Sequence, residues 1–202
     1  MTDKIKIAVF VSGGGTNLQA LIDAQNSGII KSGEISLVIS NKEGVYALER
    51  AAKANIKSVV VLKNEGQDVF EEKIVHILEE NNIGLIVLAG FLSILSEKFT
   101  SKYDKRIINV HPSLIPSFCG KGYYGLKVHE EALKYGVKVT GATVHFVNEI
   151  PDGGEIIMQK AVEVKDGDDA KTLQRRVMEE AEWKILPLSC EKVCKKMLEE
   201  NK

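Results

Sequence analysis

The sequence is short of most features that would place a chain in a special class. It holds 3 cysteines, 4 prolines and 1 tryptophan in 202 residues. An odd number of dispersed cysteines (Cys119, Cys190, Cys194) makes no disulfide framework. Cys190 and Cys194 are one helical turn apart, and no second Cys or His pair completes a zinc site. Free thiols in a reducing compartment are the expectation, and with them a cytoplasmic location. A net charge of −1 leaves no electrostatic footprint for nucleic acid. No apolar run reaches membrane-spanning length. The first residues lack the apolar stretch and small-residue cleavage site of a signal peptide. No repeat, proline-rich linker or low-complexity segment divides the chain.

What is present is an alternation of strands and helices. Lys4 to Val11 starts with alternating residues and becomes apolar, as a central strand does. Ser12-Gly13-Gly14-Gly15-Thr16-Asn17 follows, and Leu18, Leu21, Ile22 and Ala24 form a helix face that Gly28 stops. Ile35–Ser40, Ser58–Leu62 and Leu85–Ala89 read as further strands. Between them lie a helix ending near Ala54 and one carrying Phe70, Ile74, Ile77 and Leu78, with Asp68 as its expected cap. Ser96–Tyr103 reads as a short helix or link. Ile107–Val110 is the fifth strand, rich in β-branched residues and stopped by Pro112. This order predicts an α/β fold: a doubly wound, mostly parallel sheet with right-handed crossovers. Past Pro116 the pattern changes. A Gly-rich loop (117–125) precedes a helix at Val128–Tyr135, then strands at Val139–Phe146 and Ile156–Val164 that pair as an antiparallel edge. Asp169 to about Leu198 is helical, with a break expected before Pro187.

Four places carry candidate chemistry. The glycines at 13–15, between a first strand and a helix, expose N–H groups at the positive end of the helix dipole, which suits a phosphate. The same residues also suit a tight turn with a Thr16 or Asn17 cap. The loop has no Lys for a P-loop and has Leu18 where a dinucleotide fingerprint needs its third Gly. A phosphomonoester such as a sugar phosphate fits best. Asn109 and His111 lie on one face of the fifth strand, at its carboxyl end, where open α/β sheets bind ligands. An amide and an imidazolium there could donate to an oxygen gaining charge at a reacting carbonyl, or could be structural. Asp152, in Ile150-Pro151-Asp152-Gly153-Gly154, would raise the pKa of a nearby His111 and orient it, or could simply form a turn. Leu88–Leu95 could wall a pocket for a flat heterocycle, or could be core beneath a loop. His76, His129 and His145 read as structural, and Trp183 as core or groove lining.

These stretches together resemble one family. Val11–Ala20, Ser40-Asn41-Lys42, Leu88–Phe91, Asn109–Pro116, Gly141–Val147 and Asp152-Gly153-Gly154 are similar to the phosphoribosylglycinamide formyltransferases, folate-dependent enzymes of purine synthesis. The resemblance runs nearly end to end. It implies a Rossmann-like formyltransferase fold in a single domain, 1–202, with a phosphate-binding half (1–110) and a folate and catalytic half (111–202). It implies transfer of the formyl group of 10-formyltetrahydrofolate, a co-substrate, to the amine of glycinamide ribonucleotide, with no metal. Asn109, His111 and Asp152 would be catalytic. Gly14, Gly15, Thr16, Asn17 and Glu182 would hold the ribonucleotide. Phe91, Leu92, Ser93, Ile94, Leu95, Asn109 and Ile150 would hold the folate. The partners implied are small molecules only, with no nucleic acid and no membrane, in a monomer or homodimer. Two departures stand out. Ser93 replaces an Arg that several members carry, and acids surround Asp68 where some members have a base for the folate tail. The runner-up is formyltetrahydrofolate deformylase, with water in place of the amine. Formylation of methionyl-tRNA would call for a basic nucleic-acid-binding domain. A non-catalytic phosphate-binding module would leave the Asn, His and Asp without a purpose.

Overall fold

The computed structural model describes residues 4–200. Residues 1–3 and 201–202 of the expected 1–202 unit lie outside the described residues. One sheet of 7 strands runs through the molecule in the order β3-β2-β1-β4-β5-β6-β7. The strands are β1 (Ile5–Val11), β2 (Gly33–Ser40), β3 (Lys57–Val60), β4 (Leu85–Leu88), β5 (Ile107–His111), β6 (Val139–Phe146) and β7 (Ile156–Glu163). The first five pair in parallel, while β6 and β7 pair antiparallel. The helices are α1 (Thr16–Asn26), α2 (Tyr46–Lys53), α3 (Gln67–Glu80), α4 (Glu97–Lys102), α5 (Leu126–Tyr135), α6 (Ala170–Val177) and α7 (Trp183–Glu200).

Both faces of the sheet are covered, so its central strands carry unbroken apolar runs such as Ile7–Val11 and Leu85–Leu88. In β1 the odd residues Ile7, Val9 and Val11 face one core with Leu18 and Leu21 of α1 and Leu186 of α7. The even residues Ala8 and Phe10 face a second core with Phe70, Ile74 and Leu78 of α3 and Phe99 of α4. Period-two side-chain alternation sends neighbours to opposite faces. A strand buried on both therefore reads as a continuous hydrophobic run.

The chain leaves β1 toward β2 and β3 on one side, then returns to place β4 on the other side of β1. The connections after β1 and β4 thus diverge at the carboxyl edge and open a crevice between them. Adjacent strands lie roughly 4.8 Å apart, so the carboxyl ends of β1 and β5 are about 10 Å apart.

Two local expectations need correcting. Gly66 (φ 97°), not Asp68, precedes α3, and Asp68 lies in the first turn, where its carboxylate complements the helix dipole. The expected break before Pro187 is a π-helical turn, Met178–Glu182, and α7 then runs through Pro187. The proline ring removes the bond to the carbonyl of Trp183. The widened turn just upstream takes up the change in register. The segment 169–177 is as expected: Asp169 caps α6 by accepting from the N–H of Thr172 at 2.7 Å. Among the described residues no helix is long and apolar enough to cross a membrane.

Candidate active site

Asn109 and His111 end β5, pointing to one side of the sheet. The antiparallel neighbour β6 sets His145 opposite Asn109 and Thr143 opposite His111. The Asn109 amide donates to His145 Nε2 at 3.2 Å, while His145 Nδ1 donates to the carbonyl of Phe146 at 2.7 Å. The second bond selects the tautomer that leaves Nε2 as acceptor. One amide hydrogen of Asn109 is thereby anchored, and the other is left for the cleft. Thr143 secures the segment after the strand: its hydroxyl donates to the Ser113 carbonyl at 2.7 Å and accepts from the N–H of Ile115 at 3.1 Å.

Asp152 arrives from the β6–β7 connection with φ 57°. Its Oδ2 lies 3.4 Å from His111 Nδ1 and accepts from the N–H of Gly120 at 2.8 Å. Its Oδ1 lies 3.5 Å from His145 Nε2. Gly154 permits this approach, because a Cβ there would come within 1.8 Å of the Phe146 carbonyl oxygen. The 117–125 loop closes the other side, where the Phe118 carbonyl meets His111 Nε2 at 2.9 Å. Only an imidazolium, a donor at both nitrogens, satisfies Phe118 and Asp152 together.

The charges pull against each other. His111 is 4% exposed, and burial lowers its pKa, outweighing the upward pull of Asp152 and of the Phe118 carbonyl. The expectation of a raised value is therefore corrected: desolvation of the ring exceeds the attraction of one carboxylate. Burial works to raise the Asp152 carboxyl, yet His111 and the Gly120 N–H hold it below the usual carboxylate range.

A cleft of about 550 Å³ opens on this cluster, bounded by Gly90–Ile94, Asn109–Pro112, the 120–125 loop and Asp152. A chamber of about 130 Å³ continues past Asn109 toward Leu95 and Ile150. Leu92, Ile94 and Ile150 stay 57, 63 and 57% exposed around it, a concentration of apolar surface suited to a ligand rather than to water. Phe91 is held edge-on against Phe10 at 5.2 Å. Ser93 accepts from the Asn41 amide at 2.8 Å. The N–H of Leu92 donates to Ser12 at 2.9 Å, which ties this wall to the end of β1.

The glycine loop occupies that end. Gly15 (φ 71°) precedes α1, and a Cβ on it would lie 2.7 Å from the Cβ of Ala47. Added Cβ atoms on Gly13 and Gly14 would meet nothing within 4 Å. Packing does not require glycine there, and the bare backbone is open to close approach by a ligand. The first turn of α1 carries no acid, as an anion site needs. Thr16 is exposed. Asn17 is buried and donates to Glu182 at 2.8 Å, and burial raises the Glu182 carboxyl.

The expected residues thus fall into three adjoining groups around one sheet edge. Asn109, His111 and Asp152 form the centre. Phe91–Leu95 and Ile150 line the apolar wall. Gly14–Asn17 with Glu182 form the far end. His145, which reads as structural in the sequence, touches both Asn109 and Asp152. Its only signal lay inside the matching stretch Gly141–Val147. Among the described residues no group of three His, Cys, Asp or Glu side chains could hold a metal ion.

Comparison with known proteins shows the family of the chain. Residues 5–189 match the Formyl transferase family. The chain is 42% identical over 185 residues to the phosphoribosylglycinamide formyltransferase of Haemophilus influenzae, covering 91% of this chain and 84% of that protein. It is 44% identical over 194 residues to the trifunctional purine biosynthetic protein adenosine-3 of Gallus gallus, covering 95% of this chain but only 19% of that protein. The chain therefore spans about a fifth of the length of such trifunctional relatives. Its structure superposes on glycinamide ribonucleotide transformylase 1 of Symbiobacterium toebii with a TM-score of 0.88 at 36% identity, covering 96% of this chain and 89% of that one.

Proposed function

We propose a reaction for this chain, which belongs to the formyl transferase family: it moves the formyl group of 10-formyltetrahydrofolate to the amine of glycinamide ribonucleotide. The observation that carries this reading is the buried pairing of His111 with Asp152 at 3.4 Å beside Asn109. The cluster opens on the apolar wall, and the glycine turn joins that wall through the hydrogen bond between Leu92 and Ser12. The relatives named for this transfer, in Haemophilus influenzae and Symbiobacterium toebii, match at 42 and 36% identity.

In this reading the chain is one domain of two halves, 1–110 gripping the ribonucleotide and 111–202 carrying the catalytic turn. Gly14, Gly15, Thr16 and Asn17 bind the phosphate through the N–H groups of the loop, and Glu182 meets the sugar side. The Phe91–Leu95 wall and Ile150 hold the flat folate ring. The amine attacks the formyl carbon, and its oxygen gains negative charge. Asn109 donates its free amide hydrogen to that oxygen, and His111 donates to it from Nε2, the oxygen taking the place of the Phe118 carbonyl that accepts from this nitrogen in the ligand-free molecule. Asp152 keeps the imidazole oriented and opposes the loss of its proton caused by burial. Collapse of the tetrahedral adduct releases tetrahydrofolate and leaves the amine formylated. A proton leaving the attacking nitrogen passes through water to the ionised Asp152 carboxylate and returns from there to the departing folate nitrogen.

The test is an assay with one substrate omitted. Tetrahydrofolate should appear only when enzyme, 10-formyltetrahydrofolate and glycinamide ribonucleotide are all present, with formylated ribonucleotide formed in equal amount. Equal release of tetrahydrofolate without the ribonucleotide would replace the proposal with a deformylase. His111→Ala should abolish most turnover while leaving ribonucleotide affinity near that of the parent.

A further inference from the structure

The glycine loop contains no lysine, so the grip on a doubly charged phosphate has no cation of its own within the motif. The structure supplies one from the next helix. Arg50, in α2, reaches back and donates from Nε to the Gly14 carbonyl at 2.9 Å. Its Nη1 donates to the Gln19 side chain in α1 at 2.9 Å. The guanidinium lies over the Tyr46 ring at 4.8 Å from its centroid, a stacked setting that fixes its plane. One residue earlier in the loop, the N–H of Ala47 donates to the Gly13 carbonyl at 3.1 Å.

These contacts act through the geometry of the peptide bond. In a trans peptide the carbonyl of one residue and the N–H of the next point in opposite directions. Holding the Gly13 carbonyl on α2 turns the Gly14 N–H away from α2. Holding the Gly14 carbonyl on Arg50 does the same for the Gly15 N–H. Two of the donors available to an anion are therefore aimed by contacts made on the reverse side of the loop. Ala47 aims one through its backbone, so no side-chain change there would reveal it. Arg50 aims the other through its side chain and adds a full positive charge beside the helix dipole.

We propose that Arg50 is a positioning residue for the ribonucleotide phosphate: it sets the direction of the Gly15 N–H and supplies the cation that the glycine loop lacks. This rests on reading the loop as the phosphate grip.

The experiment compares Arg50→Met, Arg50→Lys and Gly15→Ala in steady-state assays with both substrates varied. Arg50→Met should raise KM for glycinamide ribonucleotide about tenfold, the scale of one ionic hydrogen bond in a partly exposed site. Its kcat should stay within about twofold, and its KM for 10-formyltetrahydrofolate should be unchanged. Arg50→Lys keeps the charge but loses the fork to Gln19, so it should recover part of the ribonucleotide KM. Gly15→Ala displaces the loop against Ala47 and should raise the same KM more strongly. If Gly15→Ala raises that KM and Arg50→Met does not, the role of Arg50 is overturned and the loop reading stands. If neither changes it, the loop reading itself falls. A fall in kcat, in both KM values and in thermal midpoint together would make Arg50 a stabilising residue only.

Discussion

His129 should make this protein lose stability on mild acidification, by an amount the structure allows to be worked out. The ring sits on α5 with 0% exposure, and neither ring nitrogen has a hydrogen-bond partner. Burial first, and the neighbouring His111 second, push its pKa from the ordinary 6.5 down to about 4. The unfolded chain therefore takes up a proton near the ordinary value, while the folded chain refuses it until far lower pH. Between those two values the unfolded state binds more protons, so stability is full above about pH 6.5 and falls as pH drops toward 4. The complete shift is worth about 3 kcal/mol, and about 2 kcal/mol of it is already lost by pH 5. Urea unfolding followed by tryptophan fluorescence at about pH 8 and pH 5 measures this. His111 titrates in the same direction, so the informative quantity is the difference between the parent and His129→Leu. That substitution replaces an orphaned polar ring with an apolar side chain and should cost little at pH 8. It should also remove about 2 kcal/mol of the acid loss. An identical loss in parent and variant would refute the reasoning, because it would mean the imidazole titrates normally inside the fold.

Two further outcomes follow from the same geometry. Asp152→Asn removes the carboxylate that raises the His111 pKa, so the imidazolium should survive only to lower pH. The falling limb of the kcat profile should move downward, and most turnover at pH 7 should be lost; an unmoved limb would show that His111 is not the titrating group. Asn17→Ala deletes the side-chain donor to the buried Glu182 and should cost about 1–3 kcal/mol of stability in denaturant unfolding. A cost below about 0.5 kcal/mol would mean that the carboxyl is protonated or otherwise satisfied.

The strands were legible because their burial on both faces writes itself as runs such as Ile7–Val11 and Leu85–Leu88. Asn109 and His111 stand out as polar residues ending an apolar strand before a proline, a pattern that by itself suits a structural role equally, and the family resemblance is what favours a chemical one. His145 does not stand out. Six successive positions of β6, Thr140–His145, are buried, so alternation carries no sign of which face matters. An irregularity between Val144 and His145 also shifts its register against β7. The helix start at Gly66 was missed because Asp68 offers a capping side chain that the fold does not use. The direction of the His111 shift was missed because the sequence names a nearby acid but not how completely the ring is desolvated.

Short-range chemistry is carried by the order of residues alone: which stretches are strands, where glycine lets a backbone approach an anion, which side chains can share protons. Distances between residues far apart in the chain are not. Arg50 beneath Gly14, His145 beside Asp152 and the 117–125 loop capping His111 exist because sheet order and crossover handedness bring separate segments to one edge. Desolvation and hydrogen-bond direction, which decide protonation and substrate grip, arise only from that convergence.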